Sequence, residues 1–313
     1  MIRPGRLFGV DVGGTKLRAA LANLDGSILA ELTEPTVRDS GAGLVERVAI
    51  ALERLRGEVP AGPEVVAAGV ALPVGVDPGT GRVRSTHNVP GLADVPDIRR
   101  ELGRALGGLP VAVDNDANAA ALGERAHGSA IGVADLAVIV IGTGVGMGLI
   151  ADGRLIHGAR GMAGELAFLP LGGDPFGPAA LAMGTFEAAA AGPAVRERIS
   201  AAVRSGARTS LSLDATFAEA ARAAAAGDAL ARAIVDEEAR LVALGIAAVV
   251  AVVAPELVVL GGGVGSVPGL LEPVRAHLAG LIAEPPRVET CRLGDRAELV
   301  GALELARSVA GPG

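Results

Sequence analysis

The chain has 313 residues, half of them hydrophobic, and a formal net charge of −7; that is enough for one large or two ordinary domains with a sizeable core, and the wrong sign for a nucleic-acid surface. With no Trp, no Tyr and five Phe, almost nothing can stack a base or a sugar ring, so a small polar ligand must be read by hydrogen bonds. Cys291 is the only cysteine, which excludes an intrachain disulfide and a cysteine-rich zinc site, and His87, His127, His157 and His277 lack paired metal spacing.

At the N-terminus Asp11 interrupts the apolar run before a signal-peptide core can form. Leu7–Val12, Lys16–Asn23 and Ser27–Leu32 read as strands, turned by Gly13-Gly14-Thr15 and by Asp25-Gly26. The first glycine turn therefore sits in a hairpin, where it can still offer backbone N–H groups to phosphate, since Gly permits close approach and positive φ. Lys16, the only lysine of the chain, is either a phosphate contact or the partner of a nearby acid. Gly43–Arg56 has helical periodicity, Val65–Leu72 is a buried strand, Ser85–Leu92 is a polar loop and Pro96–Leu106 is a helix.

The stretch Val111–Gly128 organises the rest. A short strand, Val111–Val113, runs into Asp114, Asn115 and Asp116; a helix follows from Ala117, with Gly128 as its stop. Carboxylates at a strand end that feeds a helix N-terminus lie where open α/β folds bind ligands. Asp116 can serve as an N-cap or as a general base, and Asp114 is the rival base; the residues alone leave both questions open.

Leu136–Ile141, Val145–Ile150 and Arg154–His157 then repeat the N-terminal plan of strand, Gly-Thr turn, strand, Asp-Gly turn, strand. Gly142-Thr143 answers Gly14-Thr15, and Asp152-Gly153 answers Asp25-Gly26, at matched spacing. Gly158–Gly177 is irregular and carries Glu165; Thr185–Ala191 is alanine-rich and carries Glu187. Ala215–Ala254 holds two helices divided near Gly227-Asp228. Its final run, Leu241–Ala254, is too short for a bilayer and reads as a buried helix, so a soluble cytoplasmic protein is expected. Glu256–Leu260 ends in Gly261-Gly262-Gly263, a third nucleotide-type element, and the helices Pro268–Leu281 and Ala297–Val309 close the chain.

The motifs and their order resemble the ROK family of sugar kinases and repressors, within the actin-like and hexokinase-like superfamily. They are Asp11-Val-Gly-Gly-Thr-Lys16, Asp114-Asn-Asp-Ala-Asn118, Ile141-Gly-Thr-Gly-Val-Gly146, Gly161-Met-Ala-Gly-Glu165, Pro255-Glu-Leu-Val-Val-Leu-Gly-Gly-Gly263 and Leu299-Val-Gly-Ala-Leu303, spread over nearly the whole chain. The resemblance implies a two-lobed actin-like (ribonuclease H-like) α/β ATPase fold with a central cleft. Residues 1–112 would form the smaller lobe, to which 297–313 returns, and 113–296 the larger. It implies ATP-dependent phosphorylation of a hydroxyl of a hexose or hexose-like sugar, glucose by default, with Asp116 as the base. Asp11 would lie near Mg²⁺ and the phosphates. Gly13, Gly14, Thr15 and Lys16, and Gly142, Thr143 and Gly144, would be the phosphate loops, and Gly262 and Gly263 the adenosine segment. Asn88, Asn115, Glu165 and Glu187 would meet sugar hydroxyls. ATP with Mg²⁺ and a small sugar are the expected ligands, and a homodimer the expected assembly, with no nucleic-acid or membrane partner.

Two departures lie on the acceptor side. Phe168 stands where family kinases often have a histidine, and Pro170–Thr185 lacks the cysteine cluster that holds zinc with it, so no structural zinc is expected. Phe168 itself reads as core packing. Val74 adds bulk where the family often has glycine. Together they make an amino sugar or a cyclitol the alternative acceptor, and a non-catalytic sugar or nucleotide sensor the alternative class. With only a few residues before Leu7, a helix-turn-helix repressor is not expected.

Overall fold

The computed structural model describes residues 4–36, 40–84, 90–92 and 94–311. In chain order its elements are β1 Arg6–Val12, β2 Lys16–Asn23, β3 Ile28–Pro35, α1 Gly41–Glu58, β4 Val65–Leu72, β5 Gly75–Val76, β6 Val83–Arg84, α2 Ile98–Ala105, β7 Val111–Asn115, α3 Asp116–His127, β8 Leu136–Ile141, β9 Val145–Ala151 and β10 Arg154–Leu155. There follow α4 Pro178–Met183, α5 Thr185–Ala190, α6 Gly192–Arg204, α7 Phe217–Ala225, α8 Ala229–Val253, β11 Leu257–Gly261, α9 Gly262–Gly265, α10 Leu271–Leu281, β12 Arg287–Thr290 and α11 Ala297–Val309. Short 3₁₀ turns at Pro90–Leu92, Leu166–Phe168 and Gly294–Arg296 complete them.

The chain forms two compact units, one of Met1–Ile131, Leu155–Ala163 and Asp295–Gly313, the other of Gly132–Arg154 and Gly164–Gly294. The first carries a sheet of order β3-β2-β1-β4-β7, the second one of order β10-β9-β8-β11-β12. In each, an antiparallel meander leads to parallel strands added by crossovers, so the matched turns reflect a repeated supersecondary plan.

In the first unit the period-2 alternation of β1 sorts its side chains. Phe8, Val10 and Val12 join the core formed with Leu44, Val48 and Leu52 of α1 and Ile98 and Leu102 of α2, whereas Leu7 faces Leu303 and Ala306 of α11. α11 approaches the sheet and α3 so closely that Gly69, Gly123 and Gly301 have no room for a side chain. A Cβ at Gly69 would strike the Ala302 carbonyl, and one at Gly301 the Ala119 carbonyl. Because α3 lies against α11, this unit runs on past residue 112 to Ile131.

In the second unit β8 and β11 are buried along nearly their whole length, as parallel strands covered on both faces should be. α8 is capped by Asp228, whose Oδ1 accepts from Ala231 N–H at 3.0 Å; this fixes the division expected near Gly227-Asp228. The apolar run that ends α8 is buried only as far as Val249. Its last turn leaves the core, with Val252 83% exposed, so the buried helix expected over Leu241–Ala254 stops a turn short. Among the described residues no helix is long and apolar enough to cross a membrane.

Candidate functional site

Most of the expected residues lie at the carboxyl ends of the parallel strands of each unit, where open α/β sheets bind ligands; Glu165 and Glu187 come from a loop and from α5. In the first unit these are the ends of β1, β4 and β7. β7 ends at Asn115, and α3 begins at Asp116, one residue earlier than the sequence suggests. Asn115 is therefore the N-cap, accepting from Ala117 N–H through Oδ1 at 2.9 Å. Asp116 is the first helical residue rather than the cap. Its Oδ1 also takes the Ala117 N–H, at 2.8 Å, which places the carboxylate at the positive end of the helix.

Asp11, one residue before the end of β1, is 8% exposed. Burial holds its carboxyl well above the usual carboxylate range, with Glu298 and Asp116 adding to the shift and Arg18 opposing it. Burial likewise raises Glu298. Asp11 and Asp116 thus share one electrostatic neighbourhood. The Gly13–Lys16 turn is closed by Gly13 N–H donating to the Lys16 carbonyl at 2.8 Å and braced by Thr36, whose Oγ1 donates to the Gly13 carbonyl at 2.8 Å. Thr15 and Lys16 are exposed at its edge.

Asp114, the rival base, is 5% exposed and engaged on both oxygens. Oδ1 accepts from Asn115 N–H at 2.8 Å and Asn118 Nδ2 at 2.7 Å, and Oδ2 lies 2.6 Å from His157 Nε2. That orientation leaves the buried Asn118 Oδ1 without a partner, a cost of about 1–3 kcal/mol accepted to hold the carboxylate. The hydrogen bond to Asp114 raises the His157 pKa against the opposing effect of burial. No sequence spacing connects residues 114 and 157; the contact exists only because Leu155–Ala163 folds into the first unit.

In the second unit β8 and β11 are neighbours, so the turns that follow them meet. Gly142 N–H donates to the Gly144 carbonyl at 2.9 Å, and Gly192 N–H to the Gly142 carbonyl at 2.8 Å. A Cβ at Gly142 would come no nearer than 3.8 Å to the Gly263 nitrogen, whereas one at Gly262, whose φ is +81°, would strike the Ile141 carbonyl. Gly13, Gly142 and Gly144 do not adopt positive φ. At Gly13 and Gly144 the missing side chain serves close approach, to the Lys16 carbonyl and the Glu187 carboxylate, rather than a left-handed backbone. Thr143 is exposed between them. Glu187, from α5, reaches back to this turn, its Oε2 accepting Val145 N–H at 2.8 Å. Glu165 is half-buried; burial raises its pKa, and the nearby Glu187 charge adds to the shift.

The acceptor-side departures resolve differently. The Val74 side chain is 2% exposed and part of the first unit's core, so its bulk goes inward. Phe168 is 51% exposed; it does not pack in the core, which corrects that expectation. Asn88 lies outside the described residues. Among the described residues no group of three or more His, Cys, Asp and Glu side chains gathers as a metal cage. A Mg²⁺ that travels with a nucleotide needs only one or two carboxylates beside phosphates and water, and buried Asp11 in its acidic surroundings suits that use.

The duplicated sheet plan, with carboxylates at one set of strand ends and glycine turns at the other, defines an actin-like α/β fold. The ROK family model matches residues 7–309, and the chain belongs to that family. The ROK hexokinase structure from Thermus thermophilus is 37% identical, with a TM-score of 0.77 over 96% of this chain and 97% of that one. A ROK family glucokinase from Streptomyces griseus, solved with glucose and AMPPNP, is 30% identical, with a TM-score of 0.76 over 97% of this chain and 100% of that one. The glucokinase of Halalkalibacterium halodurans is 38% identical over 172 residues, 53% of this chain and 51% of the relative; the chain spans about half the length of the curated relatives it matches.

Proposed function

We infer that the chain is an ATP-dependent sugar kinase that phosphorylates a hydroxyl of a hexose or hexose-like sugar. The observation that carries this reading is Asp116, held by Ala117 N–H at the start of α3 beside buried Asp11. Phosphoryl transfer asks chiefly for positioning and charge stabilisation. The acceptor hydroxyl oxygen forms a bond to the γ-phosphorus, its proton passes to the Asp116 carboxylate, and the bond to the β-phosphate oxygen breaks with its electron pair leaving on ADP. Mg²⁺, when bound with the nucleotide, neutralises phosphate charge; Asp11 is the residue assigned to it. The Gly13 and Gly142 N–H groups close their own turns, so Gly14 and Thr15 in the first and Thr143 and Gly144 in the second are assigned to offer backbone N–H groups to the phosphates; Lys16 flanks the first turn, and Gly262 and Gly263 admit the adenosine. Asn115, Glu165, Glu187 and Asn88 are assigned to the acceptor.

The named activities of the relatives favour glucose. Exposed Phe168 favours the second reading, an amino sugar or cyclitol, because it offers no hydrogen bond where a histidine would; Val74, turned into the core, no longer argues for it. Acceptor-dependent ADP release across glucose, other hexoses, N-acetylated amino sugars and cyclitols tests the proposal. A specific, saturable acceptor is expected. ATP or sugar binding without ADP release from any acceptor would instead make the chain a sensor.

A further inference from the structure

We propose that His157 is a positioning residue for the transfer reaction: it grips the Asp114 carboxylate and through it sets the corner on which Asp116 stands. This rests on the reading of Asp116 as the base. The grip is a continuous chain of hydrogen bonds within one unit. His157 Nε2 meets Asp114 Oδ2 at 2.6 Å, and Asp114 Oδ1 accepts both the Asn115 N–H and Asn118 Nδ2. Asn115 and Asp116 then share the Ala117 N–H. One carboxylate thus ties the last peptide of β7 to the first turn of α3, with Asp116 between them.

His157 is presented on fixed backbone. Its carbonyl accepts Ala163 N–H at 3.0 Å, and Gly161, at φ +72°, abuts the Val76 carbonyl. His127 and His277 also face acids, Glu304 and Asp236, but those pairs lie toward the surface. His157 instead pairs with a carboxylate that is 5% exposed, which cannot exchange a lost partner for water freely. Asp114, with both oxygens occupied, orients the corner rather than accepting the substrate proton.

The test compares His157→Gln with His157→Asn in the full chain. The glutamine amide nitrogen reaches roughly where Nε2 lies; the asparagine amide falls short. Displacing a reacting group by about 1 Å can cost about 10²-fold. His157→Asn should therefore lose about 10- to 100-fold in kcat with the KM for ATP within about twofold, while His157→Gln stays within about threefold of wild type. Deuterium exchange at the Asn115–Asn118 amides should quicken in the asparagine variant and not in the glutamine one. Wild-type kcat and exchange in His157→Asn would overturn the proposal. So would equal losses of kcat and Tm in both variants, which describe a plain structural role. If wild type releases no ADP with any sugar, the kinase reading fails, and the exchange comparison alone decides whether His157 orders the corner.

Discussion

Asp116 and the helix start can be separated by mutation, because Asn115 rather than Asp116 is the cap. Asp116→Asn should leave Tm and ATP binding close to wild type while kcat falls about 10²-fold or more, the usual worth of a general base; wild-type turnover would remove Asp116 from that role. At Phe168, a hydroxyl left facing the ring would lack a partner, at roughly 1–3 kcal/mol. Phe168→His is therefore expected to raise kcat/KM for glucose relative to the preferred acceptor, and an unmoved ratio places Phe168 outside the sugar pocket. The place of Asp116 at the head of a helix was legible in the sequence because strand, polar cluster and helix are contiguous there. The Asp114–His157 pair was not, because a bond between residues far apart in the chain leaves no periodicity or spacing behind. Phe168 misled for a related reason: hydrophobicity predicts burial on average, and an irregular loop has no face from which to read direction.

The elements that carry Asp116 are secured by close helix packing. Gly301→Ala would drive a methyl into the Ala119 carbonyl and part α11 from α3. Such overpacking typically costs about 1–3 kcal/mol, so a lower Tm with reduced kcat is expected from thermal melts and steady-state assays. Gly263→Ala is the contrast: nothing lies within 4 Å of the added carbon, so Tm should hold while the KM for ATP rises if this segment admits the nucleotide. An unchanged KM would detach Gly263 from that task. Strands such as β2, β4 and β8 were readable to the residue from their apolar runs and turn signals. The α3–α11 contact was not, since a glycine that permits close approach looks in sequence like any other among 46.

For the whole molecule, buried acids set the pH response. Glu238, fully buried beside Arg198, is pushed up to about 7 by burial, with the guanidinium pulling the other way. A group whose folded pKa exceeds its unfolded value stabilises fully below the unfolded value, and that contribution is lost as pH rises through the folded one. For Glu238 the window runs from about 4.5 to about 7, and the change is on the order of 3 kcal/mol. His157, raised by Asp114, acts in the same direction from 6.5 upward. Asp228 and Glu219, lowered chiefly by backbone hydrogen bonds, lose their contribution as pH falls below the ordinary carboxylate range. Denaturant unfolding should therefore show greater stability near pH 5.5 than at pH 8. Glu238→Gln should flatten that difference; an unaltered slope would assign it to other groups.

The discontinuity of the first unit also has a consequence in time. The strands of its sheet leave the ribosome well before α11, the helix that covers one face of that sheet. At about 5–20 residues per second, residues 132–294 take roughly 10–30 s to synthesise. For that interval Leu7, Ala22 and Ala67 have no helix over them. The nascent chain therefore carries a sticky, half-finished sheet throughout the synthesis of the second unit, and its yield in the cell should depend on chaperone supply and elongation speed more than the stability of the finished protein would suggest.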